Sequence, residues 1–204
     1  MNTNERASMA KRGPYKKSVQ RRQEILDAVL SAYAEADAQG ASLKAIAARV
    51  GLSEQALQHH FPSKNELLVE VLRDRDMQAL DTAQADDTSL NLIDIMRRNE
   101  DQPGLVRLYS DMAAAAADPD HPAHDFFAER IERTTRGVSE FFARRRESPE
   151  SSPEARPQAR DEWAARIVLA AADGLQSRWL IDQDTKVAED ISRLVALLER
   201  FQEE

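Results

Sequence analysis

The 204-residue sequence contains no cysteine, and this excludes disulfides, thiol catalysis and cysteine-ligated zinc. It also lacks any apolar run of the roughly 18 residues that a membrane-spanning helix needs. The N-terminus is polar and basic, without the apolar segment of a secretory signal. From these absences we expect a soluble, cytoplasmic protein that has no contact with a membrane.

Glycine and proline are scarce, with 6 and 8 residues, and alternating β-branched runs are missing. The apolar residues instead recur at helical spacing almost throughout, which predicts an all-α fold of about nine helices. The first stripe runs from Ile25 to Ala36 and is followed by Gly40, in the position of a helix C-cap. Later helices are predicted at 89–99, 103–117, 122–147, 160–183 and 187–202. The proline- and serine-rich stretch 147–160 is predicted to be a mobile linker.

The net charge of −8 is unevenly distributed along the chain. Residues 1–22 carry seven basic side chains and one acidic side chain, which gives +6. Residues 73–204 carry 18 basic and 28 acidic side chains, which gives −10. A basic arm over residues 1–19 ahead of an acidic body is suited to a local phosphate contact. It is equally typical of a solvated, disordered end.

The segment "SLKAIAARVGLSEQALQHHF", residues 42–61, predicts two short helices joined by Gly51-Leu52-Ser53. Glycine suits the left-handed conformation of a tight helix exit. Neither helix is long enough to be stable alone, so both must pack on the neighbouring stripes. This arrangement is typical of a helix-turn-helix whose second helix fits the DNA major groove, although any short α-hairpin shows the same pattern.

A capping box, Ser63-Lys64-Asn65-Glu66, predicts the start of the next helix. Lys64 falls in its first turn, where free backbone amides already favour an anion. Lys64 is therefore a candidate phosphate ligand, or else a solvated surface lysine.

The first 80 or so residues resemble the DNA-binding domain of the TetR family of bacterial transcriptional regulators. The resemblance rests on "RRQEILDAVLSAYAEAD", "SLKAIAARVGLS" and "LQHHFPSKNELL", of which the Phe-Pro-Ser-Lys-x-x-Leu-Leu ending is the most specific. More loosely, "AAAADPDHPAHDFF" and "DGLQSRWLID" resemble the ligand-binding and dimerisation domain of one TetR subgroup. The resemblance implies a helix-turn-helix DNA-binding domain over 20–80 and a helical ligand-binding and dimerisation domain over 81–204.

The resemblance also implies a function. We expect a homodimer that binds a pseudo-palindromic operator in double-stranded DNA, most often as a repressor released by a small-molecule effector. The sequence does not identify the effector, and no cofactor is expected. The alternative is an all-helical adaptor that uses the same faces to bind protein, without specific DNA binding.

The predicted DNA contacts lie on and around the second helix of the motif. Gln55 can pair with adenine, and Glu54 with cytosine or only with its own helix terminus. Ser42 either contacts a phosphate or only caps its helix. The resemblance assigns His59 to the DNA and His60 to packing near Phe61, and otherwise both are exposed histidines without a role. The predicted set is Arg21, Arg22, Ser42, Lys44, Ser53, Gln55, Ala56, Gln58, His59 and Lys64.

This set departs from the family pattern at three positions. The family commonly has a small residue, a threonine and a tyrosine where this sequence has Gln55, Ala56 and Gln58. Two common phosphate-binding hydroxyls are thus missing, which suggests an unusual operator.

The helical body is predicted to contain the effector pocket and the dimer interface, and the same residues can also be ordinary core. The predicted pocket residues are Ile95, Met96, Leu108, Tyr109, Met112, Phe126, Phe127 and Arg130. The predicted interface residues are Ile167, Ala171, Leu175, Trp179, Ile191, Leu194, Val195 and Leu198, on the last two helices. Asp111 and Arg130 are candidates for orienting a polar ligand, or are surface charges.

Catalysis and metal binding find little support in the sequence. Adjacent His59 and His60 point about 100° apart on a helix, so they cannot share one ion. His121 and His124, with nearby aspartates, form either a metal site or a capped helix start, and we predict no metal. There is no G-x-S-x-G, H-E-x-x-H or phosphate-binding glycine loop, so we predict that the protein is not an enzyme.

Overall fold

The computed structural model describes residues 20–35, 41–83, 91–146 and 158–201. In these ranges it contains nine helices and no strand, which confirms the all-α prediction. The basic arm, Gly40 and residues 147–157 of the predicted linker lie outside the described residues. The helices are α1 (20–35), α2 (Leu43–Arg49), α3 (Glu54–His60), α4 (Lys64–Ala83), α5 (Asn91–Glu100), α6 (Pro103–Ala115), α7 (His124–Arg146), α8 (Ala159–Trp179) and α9 (Val187–Phe201). None of the described helices is long and apolar enough to cross a bilayer.

Serine side chains begin three successive helices. The Oγ atoms of Ser42, Ser53 and Ser63 each accept a hydrogen bond from the backbone N–H three residues further on, at 3.1 Å. Each serine satisfies an amide that the helix itself leaves unpaired. The short helices α2 and α3 are thus fixed at their starts by local sequence.

The turn between α2 and α3 depends on Gly51. Its φ of +66° lies in the left-handed region, which other residues enter only at a cost. Leu52, which follows it, is half-buried and packs against the core beneath. The turn predicted from Gly51-Leu52-Ser53 is present, with α2 ending at Arg49 and α3 beginning at Glu54.

A first hydrophobic core holds α1 to α4 together and continues into α6 and α7. Ile25, Ile46, Leu57 and Leu67 are fully buried in it. The same cluster includes residues from Leu108 on α6 to Phe127 on α7. The N-terminal helices therefore share one core with part of the helical body, across the boundary predicted near residue 80.

A second hydrophobic core joins α5 to α9. Phe142 of α7, Val168 of α8 and Ile191 of α9 are its fully buried centres. The helix α8 packs along α7 and also against α9, while α9 packs against α5. These contacts make a bundle in which α8 is covered on its inner side only.

The first turn of α6 lies directly against α1. Pro103 starts α6, and buried Gly104 follows it. A Cβ at Gly104 would lie 2.5 Å from the carbonyl oxygen of Leu30 and 2.7 Å from the backbone nitrogen of Ala34. Only glycine permits this backbone-to-backbone approach, so α6 is pressed against α1 at one point.

Candidate nucleic-acid interface and ligand cavity

Helix α3 presents a polar face to solvent and an apolar face to the first core. Leu57 is fully buried, whereas Gln55, Gln58 and His59 are exposed. Ala56, another predicted contact, is half-buried. A helix this short is held in its orientation only by packing, here through Leu57. The direction of the exposed side chains is therefore fixed by the core beneath them.

Polar groups flank α3 on the neighbouring helices. Ser42, Lys44 and Ser53 are exposed at or near helix starts, and both serines act as N-caps. Lys64 is the first residue of α4 and is half-buried. Hydroxyl and ammonium groups therefore lie at or near the starts of α2, α3 and α4, and groups of this kind can contact phosphates.

The predicted contacts Arg21 and Arg22 have partners within the chain. Arg21 donates to the carbonyl oxygen of Val50 at 2.5 Å, next to the end of α2, and also pairs with Glu24. Arg22 pairs with Glu70 and lies 4.7 Å from the centroid of the Phe61 ring. Both guanidinium groups thus brace the N-terminal helices, which is a structural role that the sequence did not indicate.

The histidines do not gather into a metal site. His59 and His60 lie with ring centroids 6.0 Å apart. Both are exposed, which does not support the predicted packing role of His60 near Phe61. Among the described residues no group of three potential ligands is close enough to hold an ion.

The other histidine pair stabilises the loop between α6 and α7. His121 Nδ1 accepts from the Ala123 backbone N–H at 3.2 Å, and its Nε2 lies 2.8 Å from the Asn65 side-chain nitrogen. His124 Nδ1 donates to the Ala116 carbonyl at 3.0 Å. This favours the helix-start interpretation of the pair over a metal site.

A cavity of about 500 Å³ lies between α4, α5, α6, α7 and α8. Of the eight predicted pocket residues, Ile95, Met96, Tyr109 and Arg130 line it. Its size is within the range of small-molecule sites.

The other four predicted pocket residues lie elsewhere. Leu108, Met112, Phe126 and Phe127 are buried in the first core and are absent from the cavity wall. They sit where α6 and α7 pack toward α1 to α4, so their apolar faces cover the N-terminal helices. Asp111 is exposed on α6 and does not line the cavity either.

A polar network closes one side of the cavity. Arg130 donates from Nε to Asp76 at 3.2 Å and from Nη1 to the Tyr109 hydroxyl at 3.2 Å. Arg133 donates to the other Asp76 oxygen at 2.5 Å. The Tyr109 hydroxyl donates to Asp173 over 3.5 Å. The network joins α4, α6, α7 and α8 through side chains alone.

Burial shapes the protonation of this network. It raises the pKa of Tyr109 to about 12, so the phenol keeps its proton. It also raises the pKa of Asp173, against the opposing effects of the Arg130 charge and the Tyr109 hydrogen bond.

Comparison with known proteins decides the family of the N-terminal helices. Residues 25–71 match the model of bacterial regulatory proteins of the tetR family. The N-terminal helices form a tetR-family domain. A search of the curated proteins found no match.

Solved structures extend the likeness to the TetR fold as a whole. A transcriptional regulator from Rhodococcus sp. is 21% identical with a TM-score of 0.67, covering 88% of this chain and 94% of its own. A TetR regulator from Rhodococcus sp. is 21% identical with a TM-score of 0.57, covering 88% and 96%. NalD of Pseudomonas aeruginosa, the secondary repressor of the MexAB-OprM multidrug efflux pump, is 20% identical with a TM-score of 0.57, covering 90% and 96%. At such identities the likeness establishes the TetR-regulator fold.

In this TetR fold, the predicted dimer residues divide into two groups. Trp179, Ile191, Val195 and Leu198 are buried in the second core, because they face inward between α8, α9 and α5. Ile167 is exposed, and Ala171, Leu175 and Leu194 are half-buried.

Of the exposed apolar side chains on α8 and α9, Ile167 and Phe201 were expected on the dimerisation faces, and Trp163 and Leu197 were missed. Trp163 is 50% exposed and lies one turn before Ile167 on α8. On α9, Leu197 and Phe201 are exposed and also four residues apart. The i, i+4 spacing of these residues is visible in the sequence. The inner faces of both helices are equally apolar, however, so the sequence did not distinguish the exposed face from the buried one.

The polar residues of the cavity were missed as well. Asp76, Arg133 and Asp173 belong to three different helices, so no sequence spacing links them. On α7 alone, Arg130, Thr134, Gly137 and Phe141 recur at three- and four-residue intervals, a signal for one cavity-facing stripe.

Proposed function

We propose that this chain is a sequence-specific DNA-binding transcriptional regulator that works as a homodimer and responds to a small molecule. The observation that carries the proposal is the polar, exposed face of α3 on a helix anchored by buried Leu57. A short, firmly seated helix with outward amides suits the major groove. Bacterial DNA lies in the cytoplasm, where we place the protein.

The side chains of this surface divide into base readers and phosphate binders. The amides of Gln55 and Gln58 can bond the N6 and N7 atoms of adenine, and each such pairing discriminates by about 1–3 kcal/mol. Lys64 adds an ammonium to the amide-rich start of α4, a combination that favours a phosphate. Ser42 and Lys44 add a hydroxyl and an ammonium group at the start of α2. Together with Lys64 they form the proposed phosphate-binding rim.

Homodimerisation is supported by the apolar side chains left exposed on α8 and α9. A single recognition helix contacts few base pairs, and two copies on a pseudo-palindrome give the needed specificity. Trp163, Ile167, Leu197 and Phe201 offer the apolar area that a second copy would cover.

The dimer proposal predicts the effect of a charge on this face. Ile167→Glu would bury a carboxylate against apolar side chains, so we expect the dimer to dissociate to monomers. Ile131→Glu is the matched control, because Ile131 is exposed on α7, outside this face. Sedimentation velocity measures both; a dimeric Ile167→Glu protein would contradict the proposed interface.

The response to a ligand is supported by the course of α4. Lys64 at the DNA surface and Asp76 at the cavity wall belong to this one helix. They are twelve residues apart, about 18 Å along the helix. A ligand that shifts α4 would move Lys64 with it and favour a state in which the two copies no longer fit the half-sites. We propose that this shift releases a repressor from its operator; NalD, which has a similar fold, is a repressor.

Binding to DNA tests the function directly. Operator duplex, selected from the DNA upstream of the protein's own gene, and a scrambled duplex are titrated at two salt concentrations. We expect Lys64→Ala to weaken binding to both duplexes about tenfold and to lower the salt slope by about 1 for each lysine removed. Gln55→Ala should relax the preference at one base position.

The control for the lost charge is Lys186→Ala, since Lys186 is an exposed lysine between α8 and α9. It should leave both affinities unchanged. Equal affinity of the unaltered protein for operator and scrambled DNA would contradict specific recognition and favour the adaptor alternative.

A further inference from the structure

The charge of the cavity is opposite to that of the body that contains it. Residues 73–204 carry 18 basic and 28 acidic side chains. The cavity wall carries five arginines and two aspartates, a formal excess of three positive charges. Inside a partly enclosed space this excess acts through less water than it would on the surface, so it attracts anions and repels cations.

Two of the cavity arginines are separated along α7 by an apolar stretch. Arg133 and Arg144 are eleven residues apart on this helix, about 16 Å along its axis. Between them Gly137, Val138 and Phe141 line the cavity. A long ligand lying along α7 would therefore meet apolar groups over its middle and an arginine at an end.

The two ends of this stretch differ in how well their charge is neutralised. Arg130 and Arg133 both pair with Asp76, and Arg130 also bonds Tyr109. Arg144 lines the cavity near the end of α7 and forms no hydrogen bond or ion pair with any of the described residues. The first end is satisfied by the protein itself, whereas no donor of Arg144 is used by the part of the chain that the structure describes.

We propose that the cavity binds an organic anion with an extended apolar body, and that Arg144 holds the anionic group. The apolar body lies along Val138 and Phe141, where it is removed from water. The carboxylate or similar group receives charge-assisted hydrogen bonds from the guanidinium, which a neutral or cationic relative of the same length cannot replace. This inference rests on the proposed function only in treating the cavity as the effector site.

Calorimetric titration of the full-length chain without DNA tests the ligand class. The probes are decanoate, 1-decanol and decylammonium at neutral pH, which share the apolar chain and differ in the charge of the head. We expect decanoate to bind once per chain and at least tenfold more tightly than 1-decanol, with decylammonium the weakest. Tighter binding of decylammonium, or no binding of any probe, would overturn the proposal.

A pair of arginine variants tests the anchor. Arg144→Gln should lower the affinity for decanoate about tenfold, the range of one charge-assisted hydrogen bond, and leave that for 1-decanol unchanged. Arg136→Gln is the matched control, since Arg136 is exposed on the same helix, pairs with Glu132 and does not line the cavity. Equal decanoate affinities for the two variants would refute the role of Arg144.

This test fails or succeeds independently of DNA recognition. The titrations contain no operator, so a negative result leaves sequence-specific DNA binding unaffected. Conversely, a chain that ignores its operator can still bind decanoate through Arg144.

Discussion

The two hydrophobic cores use buried volume in different ways. In the first core, the large side chains Ile25, Leu57, Phe61 and Leu67 are almost wholly buried and fix two very short helices. The second core borders a cavity of about 500 Å³ whose wall contains seven formally charged residues. A filled core specifies one shape, and a partly empty one leaves room for a ligand. The molecule thus combines a tightly packed helix-turn-helix end, α1 to α4, with a cavity end in one chain.

Helix α6 connects these two ends. Its Val106 belongs to the second core, and its Leu108 and Met112 to the first. Its first turn touches α1 through Gly104, and its Tyr109 reaches into the cavity. The contrast between the ends therefore predicts different costs for the same substitution on either side of α6.

The largest expected effect is the loss of the anchor of α3. Leu57→Ala removes a fully buried side chain from a filled core, and we expect the free energy of unfolding to fall by about 3 kcal/mol. Leu169→Ala is the comparison, because Leu169 is half-buried against the second core and already borders the cavity. It should cost about 1 kcal/mol, since little new empty space is created. Urea unfolding at one protein concentration measures both; equal losses would remove the distinction between the two cores.

The next effect concerns the contact between α6 and α1. Gly104→Ala places a Cβ 2.5 Å from a backbone oxygen that no rotamer change can move, so we expect a loss of about 2 kcal/mol despite the better helix propensity of alanine.

A second glycine supplies the control for this contact. A Cβ at Gly137, on the cavity side of α7, would meet no atom within 4 Å, so Gly137→Ala should stabilise by about 0.5 kcal/mol. A tolerated Gly104→Ala in the same thermal melts would contradict the close approach of α6 to α1.

Local sequence rules predicted the helix-turn-helix end better than the cavity end. The cap at Ser63 and the turn at Gly51 each depend on neighbours within four residues, so capping and turn rules found them. The pairing of Asp76 with Arg130 joins residues 54 apart in sequence, and the inward placement of Trp179 depends on which side of α8 meets α9. Such choices are made by packing, which a single sequence does not display.

The smallest expected effect separates two roles of Ser53 in the helix-turn-helix end. Ser53 caps α3, and it also belongs to the predicted DNA contacts. Ser53→Ala removes the cap and should lower the free energy of unfolding by about 1 kcal/mol, whereas Ser53→Asp keeps a capping oxygen and should leave stability nearly unchanged. If Ser53 lies at the proposed DNA surface, the added negative charge of the aspartate should still weaken operator binding.

A serine on α6 provides the control for the cap. Ser110 bonds the carbonyl of Val106 inside its helix, where alanine is the better helix former, so Ser110→Ala should not destabilise the protein. If Ser53→Asp bound operator as tightly as the unaltered protein while Ser53→Ala lost stability, Ser53 would be a cap alone. The phosphate-binding rim would then be limited to the groups around Ser42 and Lys64.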